Sequence, residues 1–275
     1  MTSVRSVVKI NSRDREGDKK MTPKIIALAG KGGTGKTTTS ALLIKYLLAR
    51  QLTPVLAVDA DANANLNELL QLDVGVTIGQ IRKELKGDLP PGMTRDQFMN
   101  MKIQQAIIEE KGFDLLVMGQ PDGPGCYCSA NQYLAMTMDH LAANYRYIVV
   151  DNEAGMEHLS RMNLRVIDYL LIISDPSARG ILTARRIAEI TGPLGLTIKN
   201  RHLIVNRAPE PLSAELDAKI REAVNESNLP LAGIFPASDD LIKQEITRGS
   251  YLQLADDVPV VRTAFAAFDR IFAAG

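Results

Sequence analysis

Short apolar runs rich in β-branched residues recur along the chain, each closing on glycine, proline, asparagine or an acid. Each gives way to a stretch in which apolar side chains return every three to four positions. The runs predict strands at Lys24 to Ala29, Pro54 to Val58, Asp114 to Met118, Tyr147 to Val150, Tyr169 to Ser174, His202 to Val205 and Leu231 to Phe235. The helical period is clearest at Lys36 to Arg50, Ser129 to Ala143, Ser177 to Ile190, Ala214 to Ser227 and Val258 to Ala273. A strand that is apolar at consecutive positions is buried on both faces, so the alternation describes a mostly parallel central sheet with helices on both faces. The fold class expected is α/β. No repeat, low-complexity tract or linker divides it, and residues 21–275 are read as one domain. Asp73 to Thr94 follows neither period and is expected to be a surface excursion.

Residues 1–20 alternate Arg5, Lys9, Arg13, Arg15, Lys19 and Lys20 with Asp14, Glu16 and Asp18 and are expected to form a disordered leader. Over the whole chain 32 basic and 32 acidic residues cancel, so no overall field draws it to nucleic acid or to an anionic membrane. Neither a run of ~18 to 20 apolar residues nor a secretory core is present. The expectation is a cytoplasmic protein with neither nucleic acid nor membrane as partner.

The first strand runs into Gly30-Lys31-Gly32-Gly33-Thr34-Gly35-Lys36-Thr37 and then a long helix. This is G-x-x-x-x-G-K-S/T in its strand, loop, helix setting, the phosphate loop of a P-loop NTPase. Backbone N–H groups of Gly30 to Thr38 and the helix N-terminus would cradle phosphates. Lys36 would reach the β- and γ-phosphates of ATP, and the Thr37 hydroxyl would ligate Mg²⁺. Val58-Asp59-Ala60-Asp61 and Asp151 end strands, and so emerge at the carboxyl edge of the sheet beside this loop. Asp59 reads equally as a helix-capping carboxylate. Asp151 sits where the acid that holds Mg²⁺ through water belongs, with Gly155 as the pivot after it.

Lys31, directly after the first glycine, makes the loop resemble the deviant Walker A family that contains MinD, ParA, the nitrogenase iron protein and CooC. That resemblance implies a homodimer in which Lys31 reaches the partner's nucleotide and an Asp61 that orients the attacking water. It also implies that Asn206 and Pro236 contact adenine. Lys31, Lys36 and Asp61 are thus the expected catalytic set. Ala62 replaces the proline that often follows the acid in that family.

The two cysteines, Cys126 and Cys128, stand in Gly123-Pro124-Gly125-Cys126-Tyr127-Cys128 before a helix. Two thiolates are half of a four-sulfur metal shell, and a two-fold axis supplies the other half. This loop and Asp151-Asn152-Glu153-Ala154-Gly155-Met156-Glu157-His158 resemble those of the CooC-type accessory ATPases. The resemblance implies a nickel carrier (Ni²⁺, with Zn²⁺ open on ligand chemistry) serving apo carbon monoxide dehydrogenase or acetyl-CoA synthase. His158 reads either as a metal relay or as the start of a helix. Two other readings stay open: an iron–sulfur reductase of the nitrogenase iron protein type, and a ParA- or MinD-like positioning ATPase.

Overall fold

The computed structural model describes residues 22–85, 87, 90–120, 127–154, 166–227 and 229–273. Residues 1–20, Cys126, Gly155 and His158 lie outside the described residues. Strands β1 (Lys24–Gly30), β2 (Val55–Ala60), β3 (Ile108–Glu110), β4 (Phe113–Val117), β5 (Tyr147–Asn152), β6 (Val166–Ser174), β7 (Thr197–Ala208) and β8 (Leu231–Pro236) form one sheet. Its order is β3-β4-β2-β5-β1-β6-β7-β8. Neighbours pair in parallel, except that the edge strand β3 runs antiparallel to β4. Every strand that the apolar runs predict is present.

The helices are α1 (Lys36–Ala49), α2 (Leu66–Leu70), α3 (Ile78–Glu84), α4 (Arg95–Ala106), α5 (Tyr127–Leu141), α6 (Ala178–Ile190), α7 (Ala214–Ser227), α8 (Asp239–Ile246) and α9 (Pro259–Ala273). They divide between the two faces as the period-2 alternation of the strands requires. Ala27, Ala29, Leu56, Val58, Ile148 and Val150 point into a core closed by α3 to α7. Ile26, Leu28, Val55, Ala57 and Val149 point into a second core closed by α1, α2, α8 and α9. There Tyr46 of α1 meets Phe265 of α9 edge-on at 5.4 Å, and Phe272 stands against Tyr147 and Tyr169. Every residue of β2 and β5 is buried, so the strands that carry Asp59 and Asp151 near their carboxyl ends are fixed on both faces. Among the described residues no helix is long and apolar enough to cross a membrane.

The stretch expected to be a surface excursion is partly core. Thr77 accepts from the Gln80 N–H and Gln80 returns the bond to the Thr77 N–H, a reciprocal cap that starts α3. Ile78, Ile81 and Leu85 then go into the first core. Three apolar positions among charges are too few for a period to stand out, although Thr-x-x-Gln was visible. The same cap at Thr94 and Gln97 starts α4.

Candidate functional site

The phosphate loop leaves β1 at the carboxyl edge and enters α1 through Gly35, whose φ of 92° is left-handed. A β-carbon there would stand 2.2 Å from the Asn206 amide nitrogen, so backbone conformation and space both require glycine. No side chain caps α1, and its first turn holds no acid. Its leading N–H groups and positive end are therefore open to an anion. The Thr34 hydroxyl ties the loop by donating to the Lys31 carbonyl at 2.9 Å.

Lys36 is buried, and its ammonium donates to the Gly30 and Lys31 carbonyls at 3.4 Å each. Burial lowers its pKa, opposed by Asp151, Asp61 and Glu153 around it. Long bonds to two carbonyls leave the ammonium ready to turn to a stronger anionic acceptor. Lys31 is exposed.

Asp59 and Asp151 stand opposite each other in the β2–β5 pairing. Asp151 is fully buried, accepts from Ser40 Oγ at 3.0 Å and is also bonded by the Thr37 hydroxyl. Burial nonetheless pushes it up to about 6. Asp59 accepts from the Asp61 N–H at 3.1 Å and from the Leu66 N–H at 2.9 Å. It folds the intervening loop and caps α2, a task that Asn65, the residue before the helix, does not perform with its side chain. Burial and the charge of Asp151 push Asp59 up to about 7. Asp61 accepts from the Asn63 N–H at 2.9 Å and faces the cleft.

The cleft has a volume of about 950 Å³ and runs from the phosphate loop past Asp61 and Glu153 to Gln71, Glu245 and Arg248. A divalent cation fits the chemistry at its floor. Buried carboxylate and hydroxyl oxygens are hard donors, and the raised Asp151 marks a charge that a cation would stabilise. Asn206 is buried and donates to the Thr34 carbonyl at 2.9 Å, while Arg207 donates to the Gly33 carbonyl at 2.8 Å. Pro236 closes β8 opposite Ala208.

The structure thus brings together Gly30 to Thr38, Asp61, Asp151 and Asn206. Ser40 and Arg207 belong with them and carried no motif. Ser40 sits one turn beyond Lys36, a spacing that could have found it; nothing marked Arg207. For the cysteines, only the backbone of Cys128, in the first turn of α5, is described. Among the described residues no three His, Cys, Asp or Glu side chains are grouped to hold a metal ion.

Residues 25–249 match the family model described as the CobQ/CobB/MinD/ParA nucleotide binding domain. An uncharacterised ATP-binding protein of Methanocaldococcus jannaschii is 39% identical over 227 residues, 81% of this chain and 88% of its own length. The carbon monoxide dehydrogenase accessory protein CooC of Rhodospirillum rubrum is 28% identical over 205 residues, 68% of this chain and 75% of its own length. The structure of the septum site-determining protein MinD of Pyrococcus horikoshii OT3, complexed with Mg-ADP, has a TM-score of 0.68 at 21% identity. It covers 92% of this chain and 98% of its own.

Proposed function

The chain belongs to the CobQ/CobB/MinD/ParA nucleotide-binding family, and from that premise we propose an ATP-dependent metallochaperone: a homodimer that hydrolyses ATP and carries Ni²⁺ between subunits on Cys126 and Cys128. Its client is carbon monoxide dehydrogenase or the related acetyl-CoA synthase. One observation carries the reading. The Met118 N–H, at the end of β4, donates to the Asp59 carbonyl at 2.8 Å, so the segment leading to the cysteines hangs directly on the strand that presents Asp61. That bond ties the strand bearing Asp61 to the end of the strand from which the chain continues, eight residues later in sequence, to Cys126. The likeness to CooC, a carbon monoxide dehydrogenase accessory protein, supports the choice of client.

In this reading the loop amides and the α1 N-terminus bind the phosphates, and Lys36 exchanges its two carbonyls for phosphate oxygens. Thr37, and Asp151 through water, would hold Mg²⁺, which when bound neutralises phosphate charge. Asp61 orients the attacking water, Lys31 acts in the partner's site, and Asn206 and Pro236 flank the base.

A second reading, a MinD- or ParA-like positioning ATPase, draws on the breadth of the match to MinD. It makes no use of the cysteines. Equilibrium dialysis against Ni²⁺ and Zn²⁺, with ADP and with a non-hydrolysable ATP analogue, separates the two. The metallochaperone should saturate at one ion per two chains, and Cys126→Ser or Cys128→Ser should each abolish tight binding. Nucleotide should alter metal affinity, and metal should alter nucleotide affinity by the same factor. One ion per chain, or affinity indifferent to both cysteines, would refute the carrier and leave the positioning ATPase.

A further inference from the structure

Side chains on a regular strand alternate between faces, so Asn206 and Arg207 should point to opposite sides of the sheet. They do not: both reach the phosphate loop, and on consecutive carbonyls, Arg207 on Gly33 and Asn206 on Thr34. The cause is a bulge. Val205 lies opposite Ile234 and Ala208 opposite Pro236, so β7 uses one more residue than β8 over that interval. Arg207 absorbs the excess in the left-handed region, at φ 59°. For a non-glycine residue this conformation is unfavourable and persists where the surroundings enforce it. Gln71 and Arg248, which also line the cleft, are left-handed too, at 58° and 52°. Bulges next to active sites serve to re-aim side chains.

A trans peptide directs its carbonyl and the following N–H to opposite sides. Holding the Gly33 and Thr34 carbonyls from outside therefore turns the Thr34 and Gly35 N–H groups toward the phosphate side. The Thr34 N–H meets only a long 3.4 Å contact to the Lys31 carbonyl and is available to a stronger acceptor.

We propose that Arg207 is a positioning residue for the phosphate cradle: the bulge places its guanidinium on the Gly33 carbonyl so that, with Asn206, it presets two successive amides for the β- and γ-phosphates. This rests on the nucleotide reading of the cleft. It acts through the loop and takes no part in reading the base.

The test is isothermal titration of ATP, ADP and GTP into the full-length wild-type protein and its Arg207→Ala, Arg207→Gly and Arg207→Lys variants, alongside apo melting curves. Arg207→Ala and Arg207→Gly should weaken ATP and ADP about tenfold or more, the scale of one charge-assisted hydrogen bond. The ATP to GTP ratio should stay as in the wild type, and Arg207→Lys should recover part of the loss. Arg207→Gly, which relaxes the left-handed backbone, should melt no lower than Arg207→Ala and yet bind no better. Unchanged affinity in Arg207→Ala overturns the assignment. A loss confined to Arg207→Ala would assign the effect to backbone strain, and a shifted base preference would make Arg207 a base contact; either overturns it. A wild type that binds none of the nucleotides overturns the nucleotide reading itself, and the clamp with it.

Discussion

Replacing Gly35 by alanine tests the geometry of the phosphate loop without touching a charged group. The new β-carbon would lie 2.2 Å from Asn206 Nδ2, far inside van der Waals contact, at a residue whose φ is 92°. The left-handed backbone costs about 1–2 kcal/mol for a non-glycine residue. Relieving the clash moves the Asn206 amide off the Thr34 carbonyl, which it meets at 2.9 Å, and leaves buried polar atoms unpaired. That adds about 1–3 kcal/mol. The apo-protein should therefore lose about 2–5 kcal/mol, a fall in melting temperature on the order of 10 °C for a chain of this size. Asn206→Ala alone forfeits only the hydrogen bond. In the double variant the clash has no partner, so the combined loss should fall short of the sum by about 1–2 kcal/mol. Gly32→Ala is the control, since its β-carbon would meet nothing nearer than the Ala154 β-carbon at 3.8 Å. Urea unfolding of the four-member cycle, without nucleotide, gives the coupling directly. Additivity within about 0.5 kcal/mol would refute the steric account.

Lys36→Ala should abolish ATP binding, whereas Lys31→Ala should bind ATP nearly normally but neither hydrolyse it nor dimerise on it, as titration calorimetry with light scattering would report. Normal hydrolysis by Lys31→Ala monomers would refute a shared site. Asp61→Ala should accumulate an ATP-bound dimer, seen by size exclusion with nucleotide analysis, and wild-type turnover would remove Asp61 from the chemistry. Burial raises the Asp114 pKa above that of the unfolded chain, despite the Tyr145 hydroxyl that donates to it at 2.5 Å. The folded state thus holds this proton more tightly, and its stabilising contribution falls as pH rises from about 4 through the raised value. Asp114→Asn should flatten that part of the stability profile, and an unchanged slope would exclude Asp114 as its source. Asn131 is fully buried and neither of its amide atoms has a partner among the described residues, so Asn131→Leu should stabilise the chain by about 1–3 kcal/mol in denaturant unfolding. A loss of stability would show that the amide is satisfied in solution.

The parts of this protein that were legible in its sequence are those whose physics is local. Gly30 to Thr37 is a contiguous loop between two strong periods, and Asp151 ends an apolar run whose direction fixes the edge at which it emerges. Asp59 remained ambiguous because its partner, the Leu66 N–H, is seven residues on, across a loop with no period of its own. The helix α3 was hidden because its three core residues are spread among charged ones. Arg207 was out of reach for another reason: its role depends on a register shift against β8, and register is a property of two strands, not of one. The edge strand β3 is three residues long with two of them exposed, too little apolar pattern to announce a strand.

The exit of β4 has a consequence for how such a protein can change over generations. The Gly79 N–H donates to the Met118 carbonyl at 2.9 Å. A β-carbon on Gly79 would strike the Gln120 carbonyl oxygen at 2.7 Å, and one on Gly119 would strike Thr77 at 2.7 Å. The chain is thus buttoned to the start of α3 up to Gln120, and helix resumes at Tyr127. A lineage can therefore change neither Gly79 nor Gly119 without shifting the start of α3 against the end of β4, so descendants inherit this junction as a unit.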